Sequence, residues 1–122
     1  MRDKNVKKFL ITLNPKGMEY LQVLKEYIIA TSYQEVVFFL TRKLVLDPSY
    51  RRDFFKFFSN VVKRKGEIRN KNKIYRFTVY LSEKELDALE RILEIGKFKR
   101  YGIQNLLREL IYFEGSKYES NK

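Results

Sequence analysis

The 122-residue sequence contains neither cysteine nor histidine. Without thiols the chain can form no disulfide, and it offers no thiolate ligand to a metal ion. With imidazole missing as well, the commonest general bases, nucleophiles and zinc ligands are absent. A carboxylate- or tyrosine-based enzyme stays open, but no motif indicates one. We therefore expect no enzyme, no metal site and no cofactor, and the missing cysteines favour an intracellular protein, located in the host cytoplasm if it is viral.

Long apolar runs are also missing. The chain has no stretch of eighteen apolar residues, so no transmembrane helix and no membrane partner are expected. The charged residues 1–8 lead into a short strand-like run, which does not resemble a secretory signal. Hydrophobic residues nevertheless make up 44% of the chain. This fraction predicts a folded interior, either in one compact domain or in two very small ones that share a core.

Positive charge is in excess, with 26 lysines and arginines against 15 acidic residues and a net charge of +11. Residues 47–73 alone carry nine positive and three negative charges, so the excess is concentrated in the middle of the chain. Such a balance favours a polyanionic partner, either nucleic acid or an anionic membrane. A basic surface that serves only solubility is the alternative.

The sequence contains an internal repeat. Displaced by 68 residues, the segment KFLITLN (8–14) aligns with RFTVYLS (76–82), and the helical positions that follow agree as well. Farther along, the displacement becomes 70, where Gln34 aligns with Gln104. A unit of one strand and two helices therefore occurs twice, and the second copy has two extra residues in the turn between its helices.

Each copy begins with a strand whose apolar residues alternate, at 8–13 and at 76–81. Asn14 and Ser82 follow in N-cap positions. The first helix of each copy is predicted to end near Ile29 or Ile95. The second helix is predicted to span about Tyr33 to Val45 in the first copy and about Gly102 to Phe113 in the second. A six-residue strand has no partner within its own copy, so the two strands are expected to pair antiparallel. The predicted fold is mainly α with a two-stranded antiparallel ribbon over four helices.

These residues resemble the ribbon-helix-helix transcription factors. The second copy, RFTVYLSEKELDALERI followed by IQNLLRELI, follows the strand-helix-helix pattern almost throughout, and the first, KFLITLNPKGMEYLQVL then SYQEVVFFLTRKL, is more divergent. The resemblance covers about two thirds of the chain. Two copies on one chain are similar to tandem regulators found in some plasmids and archaeal viruses. The resemblance implies a tandem pseudo-dimer that binds double-stranded DNA and acts as a repressor or an activator.

In this family the ribbon enters the major groove and its outward side chains contact base edges, which agrees with the width of that groove. The matching positions are Lys8, Leu10, Thr12, Arg76, Thr78 and Tyr80. Leu10 can meet only a thymine methyl, which departs from the family's usual polar residue. An ordinary solvated sheet surface is the alternative. Because the two strands differ at all three outward positions, we expect an asymmetric binding site.

The family also directs the N-terminus of its second helix at a phosphate, where free N–H groups and the helix dipole attract an anion. The corresponding residues are Ser32, Tyr33 and Gln34 in the first copy and Gly102 and Ile103 in the second. Lys97, Lys99 and Arg100 add positive charge before the second site, and Lys63 and Arg64 are expected to strengthen binding to all sequences alike. Plain helix capping is the alternative, above all at Ser32.

Between the copies, residues 48–64 predict a helix with a broad apolar face. That face comprises Tyr50, Phe54, Phe57, Phe58, Val61 and Val62. We expect it to pack on the four-helix core. Self-association through this helix or along DNA is one alternative, and a membrane-surface helix is another.

The predicted organisation has four parts: a first unit at 1–46, a basic aromatic linker helix and loop at 47–73, a second unit at 74–114 and a polar, frayed tail at 115–122. A sequence-specific DNA-binding regulator is the leading functional hypothesis. Its rivals are an antitoxin-like module that grips a protein partner and an architectural protein that coats nucleic acid.

Overall fold

The computed structural model describes residues 6–63 and 74–119. In chain order the elements are β1 (Lys7–Leu13), α1 (Pro15–Tyr27), α2 (Tyr33–Leu46), α3 (Pro48–Lys63), β2 (Tyr75–Leu81), α4 (Glu83–Gly96), a short 3-10 helix (Lys99–Tyr101) and α5 (Gly102–Glu119). The succession of one strand and two helices thus occurs twice, with α3 in between. The mainly helical fold with a two-stranded sheet is confirmed.

The two strands pair antiparallel within this one chain, from Lys7 opposite Leu81 to Leu13 opposite Tyr75. Their alternation divides the ribbon into two faces. Ile11, Leu13 and Val79 are buried on the inner face together with Leu81, while Lys8 and Arg76 on the outer face are exposed. The period-two pattern therefore predicted the orientation of both strands correctly, because successive side chains of a strand point to opposite sides.

Side-chain caps start the helices where the sequence predicted them. The Asn14 side chain accepts a hydrogen bond from the Gly17 N–H at 2.8 Å, and Ser82 and Glu85 form a reciprocal capping box. At α2 the Ser32 hydroxyl accepts from the Glu35 N–H at 3.2 Å. The Glu35 carboxylate, however, accepts from the N–H of Thr31 rather than from that of Ser32. Each cap satisfies backbone donors that a helix start leaves unpaired.

The helices of the two repeats interlock. The second helix of each repeat contacts the strand of the other, with α5 on β1 and α2 on β2, and it also packs on the other repeat's first helix, with α5 on α1 and α2 on α4. Among residues 6–63 and 74–119, the buried apolar side chains belong to a single cluster. Because each repeat completes its core with the helix of the other, we expect the described part of the chain to unfold cooperatively.

Helix α3 contributes its aromatic face to this cluster. Tyr50, Phe54 and Phe58 are buried. The Phe54 and Phe113 rings meet edge-on at 5.5 Å, and the Phe58 and Phe98 rings lie 4.8 Å apart. Phe113 and Phe98 both belong to the second repeat, so α3 ties the second repeat to the first. The expectation that this face packs on the core is confirmed for its aromatic residues, while the Val62 side chain lies outside the described residues. Such packing stabilises the fold because large aromatic side chains remove much apolar area from water.

Helix α5 is longer than predicted. It was expected to end near Phe113 and to be followed by a frayed polar tail from 115, but it continues to Glu119. Gly115 is buried against Tyr20 of α1, and the Glu114 carboxylate accepts hydrogen bonds from Tyr50 and Tyr118. The contacts with Tyr20 and Tyr50 are tertiary and hold the extra turns in place, whereas the polar composition of these turns alone indicated a free end.

Two non-glycine residues, Ile29 (φ 56°) and Lys97 (φ 65°), have left-handed backbones in the described part of the chain. Both follow the first helix of a repeat, and they are 68 residues apart, the displacement of the repeat itself. A left-handed residue commonly ends a helix, and glycine adopts this conformation without steric cost.

Ile29→Gly is expected to stabilise the protein by about 1 kcal/mol. The Ile29 side chain is 87% exposed, so its removal costs little packing. Glycine also removes the steric strain that a β-branched side chain imposes on a left-handed backbone. Chemical denaturation measures the change. Ile95→Gly is the matched control: this isoleucine is also exposed but lies inside α4, so its replacement should lower stability. Equal losses of unfolding free energy in Ile29→Gly and Ile95→Gly would contradict this prediction.

Candidate nucleic-acid interface

The outer face of the ribbon collects all six predicted base-contacting residues. In register, Lys8 lies opposite Tyr80, Leu10 opposite Thr78, and Thr12 opposite Arg76. Leu10 and Tyr80 are 45% and 50% exposed, Lys8 and Arg76 are exposed, and the two threonines are half-buried. Residues from two distant segments therefore form one surface with cationic, hydroxyl and apolar groups.

The ribbon is centred on an approximate two-fold axis. The repeat places Leu10 and Thr78 at equivalent positions, and the register pairs these two residues with each other. Moving outward, Lys8 and its equivalent Arg76 lie at opposite ends of the face, as do Thr12 and its equivalent Tyr80. The two ends are thus related by position while their side chains differ.

Two glutamines, also equivalent in the repeat, join the second helices to the ribbon edges. The Gln34 side chain donates to the Tyr80 carbonyl at 2.7 Å and accepts from the Tyr80 N–H at 3.0 Å. Gln104 donates to the Leu10 carbonyl at 2.8 Å. These amides pair with backbone groups at the outer edges of the strands. Gln34 was predicted as a phosphate contact and Gln104 only as a repeat match, so sequence reasoning missed their role as anchors.

The N-terminus of α2 lies beside β2. Ser32 caps the helix, and the Tyr33 ring packs edge-on against Phe77 of β2 at 5.9 Å. The Lys25 ammonium lies 5.2 Å from the centre of the Tyr33 ring. The predicted residues Ser32, Tyr33 and Gln34 are therefore together at the ribbon edge, and each has a local structural partner.

The N-terminus of α5 lies beside β1 and borders a cleft. The cleft is lined by Phe9, Leu10, Thr12, Tyr101, Gly102, Ile103, Gln104, Asn105 and Arg108. Gly102 has a positive φ of 84°, and a side chain added there would meet no atom within 4 Å. Of the other predicted residues at this end, Ile103 is buried, Lys97 and Lys99 are exposed, and the Arg100 guanidinium lies 5.2 Å from the centre of the Tyr101 ring.

Arg108 was not predicted. It is half-buried beside this cleft and forms a 3.3 Å ion pair with the buried Glu109, and it also donates to the Asn105 side chain. Both contacts hold the Arg108 guanidinium beside the cleft at the start of α5. Its position one turn beyond Gln104 is the only signal that could have indicated it.

Two predicted phosphate contacts are not placed. The Lys63 side chain and Arg64 lie outside the described residues. Within residues 6–63 and 74–119, no cluster of acidic side chains could hold a metal ion. The helices of that same part include none long and apolar enough to cross a membrane.

Comparison with protein-family models, curated proteins and solved structures gives no match for this chain.

Proposed function

We propose that this chain is a tandem ribbon-helix-helix protein that binds double-stranded DNA sequence-specifically and regulates transcription, as a repressor or an activator. The observation that carries the proposal is the outer face of the ribbon, where six side chains able to contact base edges stand in two paired rows. A two-stranded ribbon fits the major groove, which is about 12 Å wide, and there each base pair presents a distinct pattern of donors, acceptors and methyl groups.

The helix N-termini at the ribbon edges support the same function. Helix α2 starts beside β2 and α5 starts beside β1, so both flank the face that would enter the groove. Backbone N–H groups at a helix start attract phosphate, and such contacts position a protein on DNA without reading its sequence. The net charge of +11 adds long-range attraction to a polyanion.

An antitoxin-like role in which α3 grips a protein is less well supported. Tyr50, Phe54 and Phe58, which would form the gripping face, are buried in the core. An architectural protein that coats nucleic acid without specificity is the other alternative, and it shares the basic charge but does not require a defined set of outward ribbon side chains.

Selection of binding sites from random duplex DNA, followed by gel-shift assays with unrelated competitor, tests the proposal. A selected sequence should stay bound in competitor, and its affinity should fall steeply with salt because condensed counterions are released on binding. If unrelated competitor DNA displaces the protein as readily as the selected sequence does, the protein coats nucleic acid without specificity.

Replacing Arg76 or Thr78 with alanine is expected to relax sequence preference, by about 1–3 kcal/mol for each lost base contact. Gel-shift affinities for the selected site and for single-base variants measure this loss. Lys56→Ala is the matched control, since it removes an exposed positive charge from α3 and should leave base preference unchanged. If the Arg76 and Thr78 variants keep the wild-type preference, the ribbon does not contact the bases.

A further inference from the structure

We infer that the protein recognises a non-palindromic DNA site and binds it in one orientation, with the half-site beneath Arg76 and Thr12 contributing more to affinity than the half-site beneath Lys8 and Tyr80. This inference rests on the proposed DNA-binding function and specifies the ligand of the same face. Three observations carry it: the register of the ribbon, the chemistry of its two ends and the charges beside each end.

The register makes the two ends comparable. Because equivalent positions of the repeat, Leu10 and Thr78, pair at the centre, the approximate two-fold axis of the ribbon passes through the middle of its outer face. On duplex DNA such an axis coincides with the local dyad of the groove, so each end of the ribbon lies over one half-site. A symmetric protein would then favour a palindrome, and any departure must come from the side chains.

The side chains at the two ends have different hydrogen-bonding capacity. Arg76 presents a planar fork that can donate two hydrogen bonds to O6 and N7 of one guanine, and Thr12 across the ladder adds a hydroxyl and a methyl group. At the other end Lys8 is a flexible point charge, and Tyr80 adds a hydroxyl on a bulky ring. At the centre Leu10 can contact only a thymine methyl, while Thr78 beside it can also donate or accept.

The surroundings of the two ends reinforce this difference. The loop before α5, residues 97–101, contains three cations, whereas the corresponding loop before α2, residues 28–32, contains no charged residue. Near the α5 start Arg108 borders the cleft that Thr12 lines. The equivalent position in α2 is Phe38, and the first turn of α2 holds an acidic residue, Glu35. Lys25 lies beside Tyr33 at the α2 start, and Arg108 is paired with Glu109. The three loop cations before α5 therefore account for the greater positive charge that phosphates meet at the Arg76 end.

The orientation of the protein on DNA can be measured with single cysteines, because the natural chain has none. Glu26→Cys and Glu94→Cys are matched, since the two residues are equivalent in the repeat, exposed, and placed in the last turns of α1 and α4 without being part of the proposed interface. Each variant is labelled with an iron chelate that cleaves nearby DNA and is bound to the site selected by the unlabelled protein. We expect the two labels to cut opposite flanks of the site, each on one flank only. Equal cutting on both flanks by each label would overturn the inference.

Base preference at each end supplies an independent measurement. Arg76→Ala should reduce discrimination for guanine by about 5- to 150-fold in one half-site only, which corresponds to the loss of a bidentate contact. Lys8→Ala should act on the other half-site and have a smaller effect. A palindromic selected site, or variants that each weaken both halves equally, would refute the inference while leaving the proposed function standing. Failure to select any preferred sequence would overturn the proposed function itself.

Discussion

Replacing Gly115 with alanine is expected to destabilise the protein by about 2–3 kcal/mol, although alanine is the better helix former by about 1 kcal/mol. A β-carbon at Gly115 would lie 2.5 Å from Cβ and Cγ of Tyr20. Those atoms are fixed close to the α1 backbone, so no rotation of the tyrosine can make room. Helices α1 and α5 would have to separate, and α5 also covers β1 and α3.

Gly17 provides the control for this prediction. An added β-carbon there would lie 2.6 Å from the Tyr112 hydroxyl oxygen, which is the far end of a side chain that can swing away. It would also lie 3.1 Å from Leu13 Cβ, a tight contact that a shift of a few tenths of an ångström relieves. Gly17→Ala should therefore destabilise the protein less than Gly115→Ala does. Its main cost is the loss of the 2.7 Å hydrogen bond from Tyr112 to Asn14 when the tyrosine moves. Urea unfolding of the three proteins measures the order. A stabilising Gly115→Ala would show that the helices are not in close contact at this point.

Replacing Glu114 with glutamine is expected to cost about 3 kcal/mol, because it removes one charge from a buried, hydrogen-bonded network. Glu114 is 2% exposed. Tyr50 donates to its carboxylate at 2.8 Å and Tyr118 at 3.1 Å, and the ammonium groups of Lys43 and Lys117 lie 3.4 and 3.5 Å from its oxygens. The network joins α2, α3 and α5, so the loss of the Glu114 charge weakens the contacts among three helices.

The same network makes stability depend on pH. Burial raises the pKa of Glu114, but the Tyr50 hydrogen bond, the two lysines and Tyr118 together outweigh it, so the pKa lies below its usual value. The carboxylate therefore stabilises the fold above the pKa that it has in the unfolded chain, and this contribution is lost as pH falls through the lowered folded value. At Tyr50, burial and the neighbouring Glu114 raise the pKa, so its contribution is present below the unfolded tyrosine pKa and is lost at higher pH.

Unfolding free energies measured across acidic pH test this prediction. Glu114→Gln should abolish part of the acid-dependent loss of stability that the wild-type protein shows. Glu90→Gln removes an exposed carboxylate of α4 and should change neither the free energy nor its pH dependence by much. Parallel pH curves for the wild type and Glu114→Gln would mean that this carboxylate does not drive the acid response.

The strands, the helix starts and the pairing of the strands could be predicted because their signals are local or repeated. Alternation in 8–13 and 76–81 placed Ile11 and Val79 inside, and Asn14 and Ser82 marked helix starts through short-range hydrogen bonds. The duplication indicated that each strand would pair with its copy. It also identified the outward set from Lys8 to Tyr80, because a side chain's face follows from its parity along the strand.

The length of α5 and the anchoring of the ribbon could not be predicted in this way. The sequence alone assigns Gly115 to a polar tail and Glu114 to the end of the second unit, beyond its predicted helix, because their partners, Tyr20 and Tyr50, are 95 and 64 residues away in the sequence. Likewise Gln34 and Gln104 resemble surface residues until the other repeat's strand edge comes within hydrogen-bonding distance.

The sequence by itself determined two similar strand-helix-helix segments, the parity of their strands and the excess of positive charge between them. Only the tertiary structure decided that the strands meet within one chain with Leu10 opposite Thr78, that the second helices cross to the other repeat, and that α3 closes the core. The physical reason is the range of the interactions. Periodicity and capping act over a few residues, whereas burial, close helix approach and strand register depend on which distant surfaces fit together.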